Sequence, residues 1–310
     1  MAVEILKIVH CNVNCSDLPR SLRFYRDCVG LEPLAHTRPA LPQDGRGFGL
    51  PGRALWDAWM LHDARGPLAT CIDLLQWEIP RPTGRPHASA NQLGLARISV
   101  SVPDLDARCA RLRSAGSPCL SAPELVQASH ELEARLFCCP DPDGTLLGFV
   151  ENRGRARVQL AQLSVNCSDV ERSADWYQRV LGLELLGASR PGPTPGAVFG
   201  LPGRVEWDAR YLAPRRAPGE FAIELVEWKQ PRPVGRPYPS ANHLGIYRLA
   251  FLVESCEEAH RELERAGVVC PPPVWLEMGP EIPIDGLCAL FFPDPDGSCL
   301  ELIESPRVRG

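Results

Sequence analysis

Residues 6–30 read LKIVHCNVNCSDLPRSLRFYRDCVG, and residues 158–182 read VQLAQLSVNCSDVERSADWYQRVLG. In the first stretch Leu6 to Asn14 alternates apolar and polar positions, the period of a strand with one covered face. Ser16-Asp17 then supplies a helix cap. Leu18, Leu22, Tyr25 and Val29 fall on one helical face, and Gly30 ends the helix. In the second stretch Ser168 and Glu171 stand at capping-box spacing before the same helix.

The likeness runs the length of the chain. Phe48-Gly49-Leu50-Pro51-Gly52-Arg53 returns as Phe199 to Arg204, and Trp56-Asp57 as Trp207-Asp208. Pro80 to Arg97 matches Pro231 to Arg248 at twelve of eighteen positions. Pro140-Asp141-Pro142-Asp143-Gly144 returns as Pro293 to Gly297, at an offset of 151 to 153 residues throughout. An internal repeat of this size predicts two homologous halves, 1–152 and 156–310, meeting at the polar joint Asn152-Arg153-Gly154-Arg155.

Each half divides again. Strands are expected around Arg53–Leu61 and Ala69–Trp77, and then a second strand–helix start. Arg97–Val102 reads as a strand, and Asp104 caps a helix ending at Gly116. In the second copy Ser255 and Glu258 form a capping box, and Gly267 ends the helix. A hairpin closes each half, turned at Asp143-Gly144 and at Asp296-Gly297. The asparates of these turns are satisfied by local backbone, so no further role is assigned to them. The expected chain is four β-α-β-β-β modules.

Composition narrows the partners. The 310 residues are 45% hydrophobic and 23% charged, with a formal net charge of −5. That argues against a nucleic-acid binder. No apolar run of about 18 residues is present to span a membrane. The start has no basic segment followed by a long apolar core, so a cytoplasmic protein is expected. The 13 cysteines are scattered without a Cys-x-x-Cys pair, which favours reduced, buried thiols.

Strand, Ser-Asp-Leu, an Arg-Ser-Leu-x-Phe-Tyr helix, Gly-Leu, and later Asp-Pro-Asp-Gly before an apolar strand: this pattern resembles the vicinal oxygen chelate superfamily. That group holds glyoxalase I, extradiol dioxygenases and bleomycin-resistance proteins. The resemblance implies an α+β fold in which modules pair into cupped, half-open barrels. It also implies a divalent metal, held by first- and last-strand residues, that chelates two substrate oxygens. The matching positions are His10 and Asp73 in module 1, Arg97 and Gly148 in module 2, Gln162 and Glu224 in module 3, and Arg248 and Glu301 in module 4. Arginine keeps its proton and cannot ligate a cation.

Two ligand sets follow, according to which modules pair. One is His10, Asp73 and Glu301, suited to Fe, Mn, Zn or Ni. The other is Gln162, Glu224 and Glu301. A cup containing Arg97 and Gly148 should hold no metal. Alternatively Arg248 neutralises Glu224 or Glu301 as a buried ion pair. Candidate catalytic residues are Glu301, Arg248 and His243, the last replacing Gln92 of the first copy. The Pro-Arg-Pro-x-Gly-Arg-Pro loops read as stiff linkers, or as rims with Arg85, Arg236, Tyr238 and His243 facing a cup. Trp56, Trp77, Trp207 and Trp228 read as core, or as walls for an aromatic ligand.

The functional expectation is a metal-assisted lyase, isomerase or dioxygenase acting on a small oxygenated metabolite, as a monomer or homodimer. The alternatives are a metal-free binding or antibiotic-sequestering protein and a metal-free enzyme of natural-product biosynthesis.

Overall fold

The computed structural model describes residues 2–127, 133–152, 157–282, 284 and 286–304. The expected joint at 153–155 lies outside them. Module 1 runs through strand Lys7–Asn14, a helix, and strands Glu32–Thr37, Arg53–His62 and Cys71–Ile79. Module 2 has strands Gly94–Val102, Glu124–Gln127, Glu133–Pro140 and Leu146–Glu151 around helix Leu105–Ser114. Module 3 has Gln159–Asn166, Glu184–Ser189, Arg204–Ala213 and Ala222–Gln230 with helix Val170–Leu181. Module 4 has Gly245–Val253, Val274–Glu277, Gly286–Pro293 and Cys299–Glu304 with helix Cys256–Arg265.

The sequence halves are not the structural halves. Strand Lys7–Asn14 pairs antiparallel with Gly245–Val253, joining modules 1 and 4. Gln159–Asn166 pairs with Gly94–Val102, joining modules 3 and 2. Among the described residues each pairing yields one curled, nine-stranded mixed sheet. Residues 1–152 and 156–310 therefore delimit the repeat, while each cup takes one module from each of them. Within a module the last strand lies parallel beside the first, so His10 stands opposite Cys71 and Arg248 opposite Cys299.

The connecting loops explain this exchange. Loop 80–93 leaves module 1 for the other sheet, and loop 231–244 makes the reverse crossing. The two clasp where they meet. Asn91 Nδ2 donates to the Arg232 carbonyl and Asn242 Nδ2 to the Arg81 carbonyl, both at 2.7 Å. Asn14 Nδ2 donates to the carbonyls of Ala241 and His243, each at 2.7 Å, tying strand to loop. These bonds support the linker reading.

Helix starts differ in detail from expectation. Asp17 and Asp169 are the caps, accepting from the amides of Arg20 and Arg172 at 2.9 Å. Ser168 is drawn away from capping, because its amide and hydroxyl both donate to Asp296 of the module 4 hairpin, at 2.8 and 2.7 Å. Glu171 pairs with Arg210 rather than closing a capping box. Asp104 and Ser255 cap as expected. The first helix, Leu18–Arg23, continues as a π-helical stretch, Phe24–Val29, before Gly30 ends it at a φ of 89°.

The largest apolar cluster lies on the helix-bearing faces. It joins Val13, Tyr25, Phe137, Phe149, Tyr177 and Phe251 from both sheets. Two smaller clusters occupy the concave faces, one around Trp56 and Trp77, the other around Trp207 and Trp228.

Candidate active-site cup

The pleat decides what faces the concave side. Cys11 and Val13 point into the helix-side core, so His10 and Asn12 point the other way. The floor of the module 1/4 cup holds His10, Asp73, Arg248 and Glu301, all buried. The four expected positions therefore converge.

Their charges are arranged around the arginine. Arg248 Nε donates to Glu301 Oε2 and Nη2 to Asp73 Oδ2, both at 2.8 Å. His10 Nε2 stands 3.2 Å from that same Glu301 oxygen and 3.9 Å from Asp73 Oδ2. Asn12 Nδ2 adds a 3.0 Å bond to Asp73 Oδ2. Burial works against the ionised form of Glu301, but Arg248 and then His10 more than offset it and hold the carboxyl low. Burial likewise works against the charge of Arg248, and Glu301 with Asp73 raises its pKa above the ordinary value.

Above this floor lies a cavity of about 490 Å³. Its walls are Phe48, Trp56, Met60 and Leu75 from module 1, and Leu276, Met278, Ile282, Ile284 and Leu287 from module 4. Arg248 lines it, and its Nη1 has no hydrogen-bond partner among the described residues. Trp56 forms part of the wall; Trp77 is fully buried behind it, in edge contact with Phe48 at 5.3 Å. One wall segment is held from outside. His36 Nδ1 meets Glu281 at 2.9 Å and its Nε2 meets Asp57 at 2.5 Å, while its ring stacks on Trp59.

The module 3/2 cup is nearly filled, with about 20 Å³ of space. Arg97 Nη2 meets Glu224 Oε2 and Ser164 Oγ, each at 3.0 Å, and its guanidinium lies 5.2 Å from the centre of the Phe199 ring. Tyr211, in the place of Met60, donates to Glu224 Oε1 at 3.2 Å. A Cβ on Gly148 would stand 3.0 Å from Arg97 Cδ. Gly148 is thus more than a lost ligand, because the arginine packs against the space it leaves.

Other expected residues fall elsewhere. Gln162 lines a separate open depression with Gln159 and Ala222. Glu301 belongs to the other sheet from Gln162 and Glu224, so the set Gln162, Glu224 and Glu301 cannot form one site. His243 stacks on Tyr238 at 4.4 Å and is bonded through Nδ1 to the Leu244 carbonyl. Tyr238 stacks in turn on His87. None of these rings, nor exposed Arg85 and Arg236, lines the 490 Å³ cavity.

The family model described as Glyoxalase/Bleomycin resistance protein/Dioxygenase superfamily matches residues 7–149 and 159–302. The chain belongs to this superfamily. Glyoxalase I from Zea mays shares its fold at 17% identity and a TM-score of 0.66, covering 96% of this chain and 92% of that one. A candidate dioxygenase from Bacillus subtilis subsp. subtilis strain 168 does so at 16% identity and a TM-score of 0.62, covering 99% and 87%. No curated protein matches the sequence. Members of the superfamily commonly use a divalent metal. Here Asp73 Oδ2 and Glu301 Oε2 are each already 2.8 Å from a guanidinium nitrogen. An ion bound about 2 Å from those oxygens would meet a fixed positive charge. With Arg248 in this position the donor set does not fit a resident divalent cation.

Proposed function

We propose that the module 1/4 cup binds a small, uncharged and largely apolar organic molecule, with Arg248 in the charge role that a metal fills elsewhere in the superfamily. The observation that carries this reading is the apolar 490 Å³ cavity over an arginine already paired with two carboxylates. Its size lies within the range of small-molecule sites. Asp73, Glu301 and Arg248 together leave the floor no surplus positive charge, so an anionic ligand gains little there; Lys7, which also lines the cavity, donates through Nζ to the Leu68 carbonyl. Arg248 Nη1 remains to meet an acceptor oxygen.

The test uses 2-acetylnaphthalene, an apolar ketone, followed by calorimetry on the full chain. One molecule should bind per chain. Met60→Tyr copies the residue that helps fill the other cup and should weaken binding about tenfold or more, equivalent to 1.4 kcal/mol. Unchanged affinity in Met60→Tyr would place the ligand elsewhere. Metal bound to the wild type and lost in Glu301→Gln would restore the Lewis-acid reading.

A second reading, a metal-free enzyme, is favoured by His10 and Glu301. Their contact at the cavity floor forms a pair able to exchange a proton with a ligand. Mass spectrometry of ligand recovered after incubation separates conversion from storage.

A further inference from the structure

On the helix side of module 4, Cys256, Cys288 and Glu304 bring their donor atoms within 4.8 Å of one another. No other group of three His, Cys, Asp or Glu among the described residues does so. Cys256 opens helix Cys256–Arg265, Cys288 lies on strand Gly286–Pro293, and Glu304 ends strand Cys299–Glu304. Cys256 is buried; Cys288 and Glu304 are half-buried, which leaves an approach from solvent.

The internal repeat shows what occupies this place in the other copy. In module 2 the corresponding residues are Leu105, Arg135 and Glu151. There Arg135 bridges Glu151 and Asp106, with contacts of 2.9 Å to each. Module 4 keeps both acids, as Glu304 and Glu257, but has Cys288 where the guanidinium belongs. Among the described residues Glu304 then meets the Cys256 amide, at 3.1 Å, and no guanidinium. The carboxylates remain, no described cation stands in the place of Arg135, and two thiols have entered. We propose that Cys256, Cys288 and Glu304 bind a thiophilic divalent cation, zinc by preference, which takes the charge role of the missing arginine.

The donor chemistry fits. Two sulfurs and one carboxylate suit zinc, with water as the fourth ligand on the half-exposed side. Burial holds both thiols in the neutral form when no cation is present. Binding therefore releases two protons to solvent as the thiolates form. The start of the helix favours the thiolate of Cys256.

The test is a titration of the reduced full-length chain with Co²⁺, then Zn²⁺. One Co²⁺ should bind per chain with a thiolate-to-cobalt absorption band, and Zn²⁺ should bleach it. Cys288→Arg restores the module 2 arrangement and should remove the band without loss of fold. Cys256→Ser is nearly isosteric and should weaken cobalt binding by about tenfold or more, at least the loss seen when an outer partner is removed. It decides the matter if Cys288→Arg does not fold. Cys119→Ser, near Cys109 and Cys139, should leave the band intact. Absence of the band in the wild type, its survival in folded Cys288→Arg, unchanged cobalt affinity in Cys256→Ser, or loss of the band in Cys119→Ser would overturn the site.

Discussion

The two cups share a backbone plan and differ in a handful of side chains. In one, Arg248 answers two carboxylates and leaves about 490 Å³ open above it. In the other, Arg97 answers Glu224 alone, leans over Phe199 beside Gly148, and leaves about 20 Å³. Both have an arginine where a histidine ligand is expected, so the arginine by itself does not decide whether a cup is open. Its surroundings do. Met60 opposite Asp73 leaves space, whereas Tyr211 opposite Glu224 takes it up.

The largest effect expected of this contrast is in stability. Glu224→Gln removes the carboxylate facing Arg97 and should cost roughly 3–5 kcal/mol, the penalty of a buried charge left uncompensated. Glu301→Gln should cost less, because Asp73 still faces Arg248. Urea melts of the two variants rank them, and equal losses would mean that the second carboxylate adds nothing. A smaller effect is expected from Gly148→Ala. Its Cβ crowds Arg97 Cδ and Ser99 Oγ, at 3.0 and 3.2 Å. Overpacking of this kind costs about 1–3 kcal/mol. A neutral result would show that Arg97 has another place to go.

The smallest effect concerns pH. Burial lowers the pKa of His36, but Asp57 and Glu281 outweigh it and raise the value above 6.5. The contacts of protonated His36 with Asp57 and Glu281 are therefore complete below 6.5 and are lost as pH rises through the raised value. Release of 2-acetylnaphthalene, followed by stopped-flow fluorescence, should quicken across that interval in the wild type and not in His36→Gln. No such step is expected in the filled cup.

Much of the fold was legible because strand periodicity, caps and turns are local. Pairing was not, since nothing in residues 6–30 states which first strand lies beside them; that depends on where the crossing loops carry the chain. The floor residues His10, Asp73, Arg248 and Glu301 were identifiable by position. The walls were not, because Met278, Ile282 and Ile284 read as ordinary apolar residues until the fold curls them over the floor. Where two repeats differ at a matched position, the difference marks divergence, and Met60 against Tyr211 and Cys288 against Arg135 are such positions.

The exchange of modules across the halves has a consequence for how such a molecule can change. Two identical half-length chains pairing in this manner would present the same floor twice, so any substitution would alter both cups at once. Joined in one chain, the copies are released from that symmetry. One cup can be filled and serve as ballast for the fold, while the other drifts toward a new ligand with its scaffold already secured.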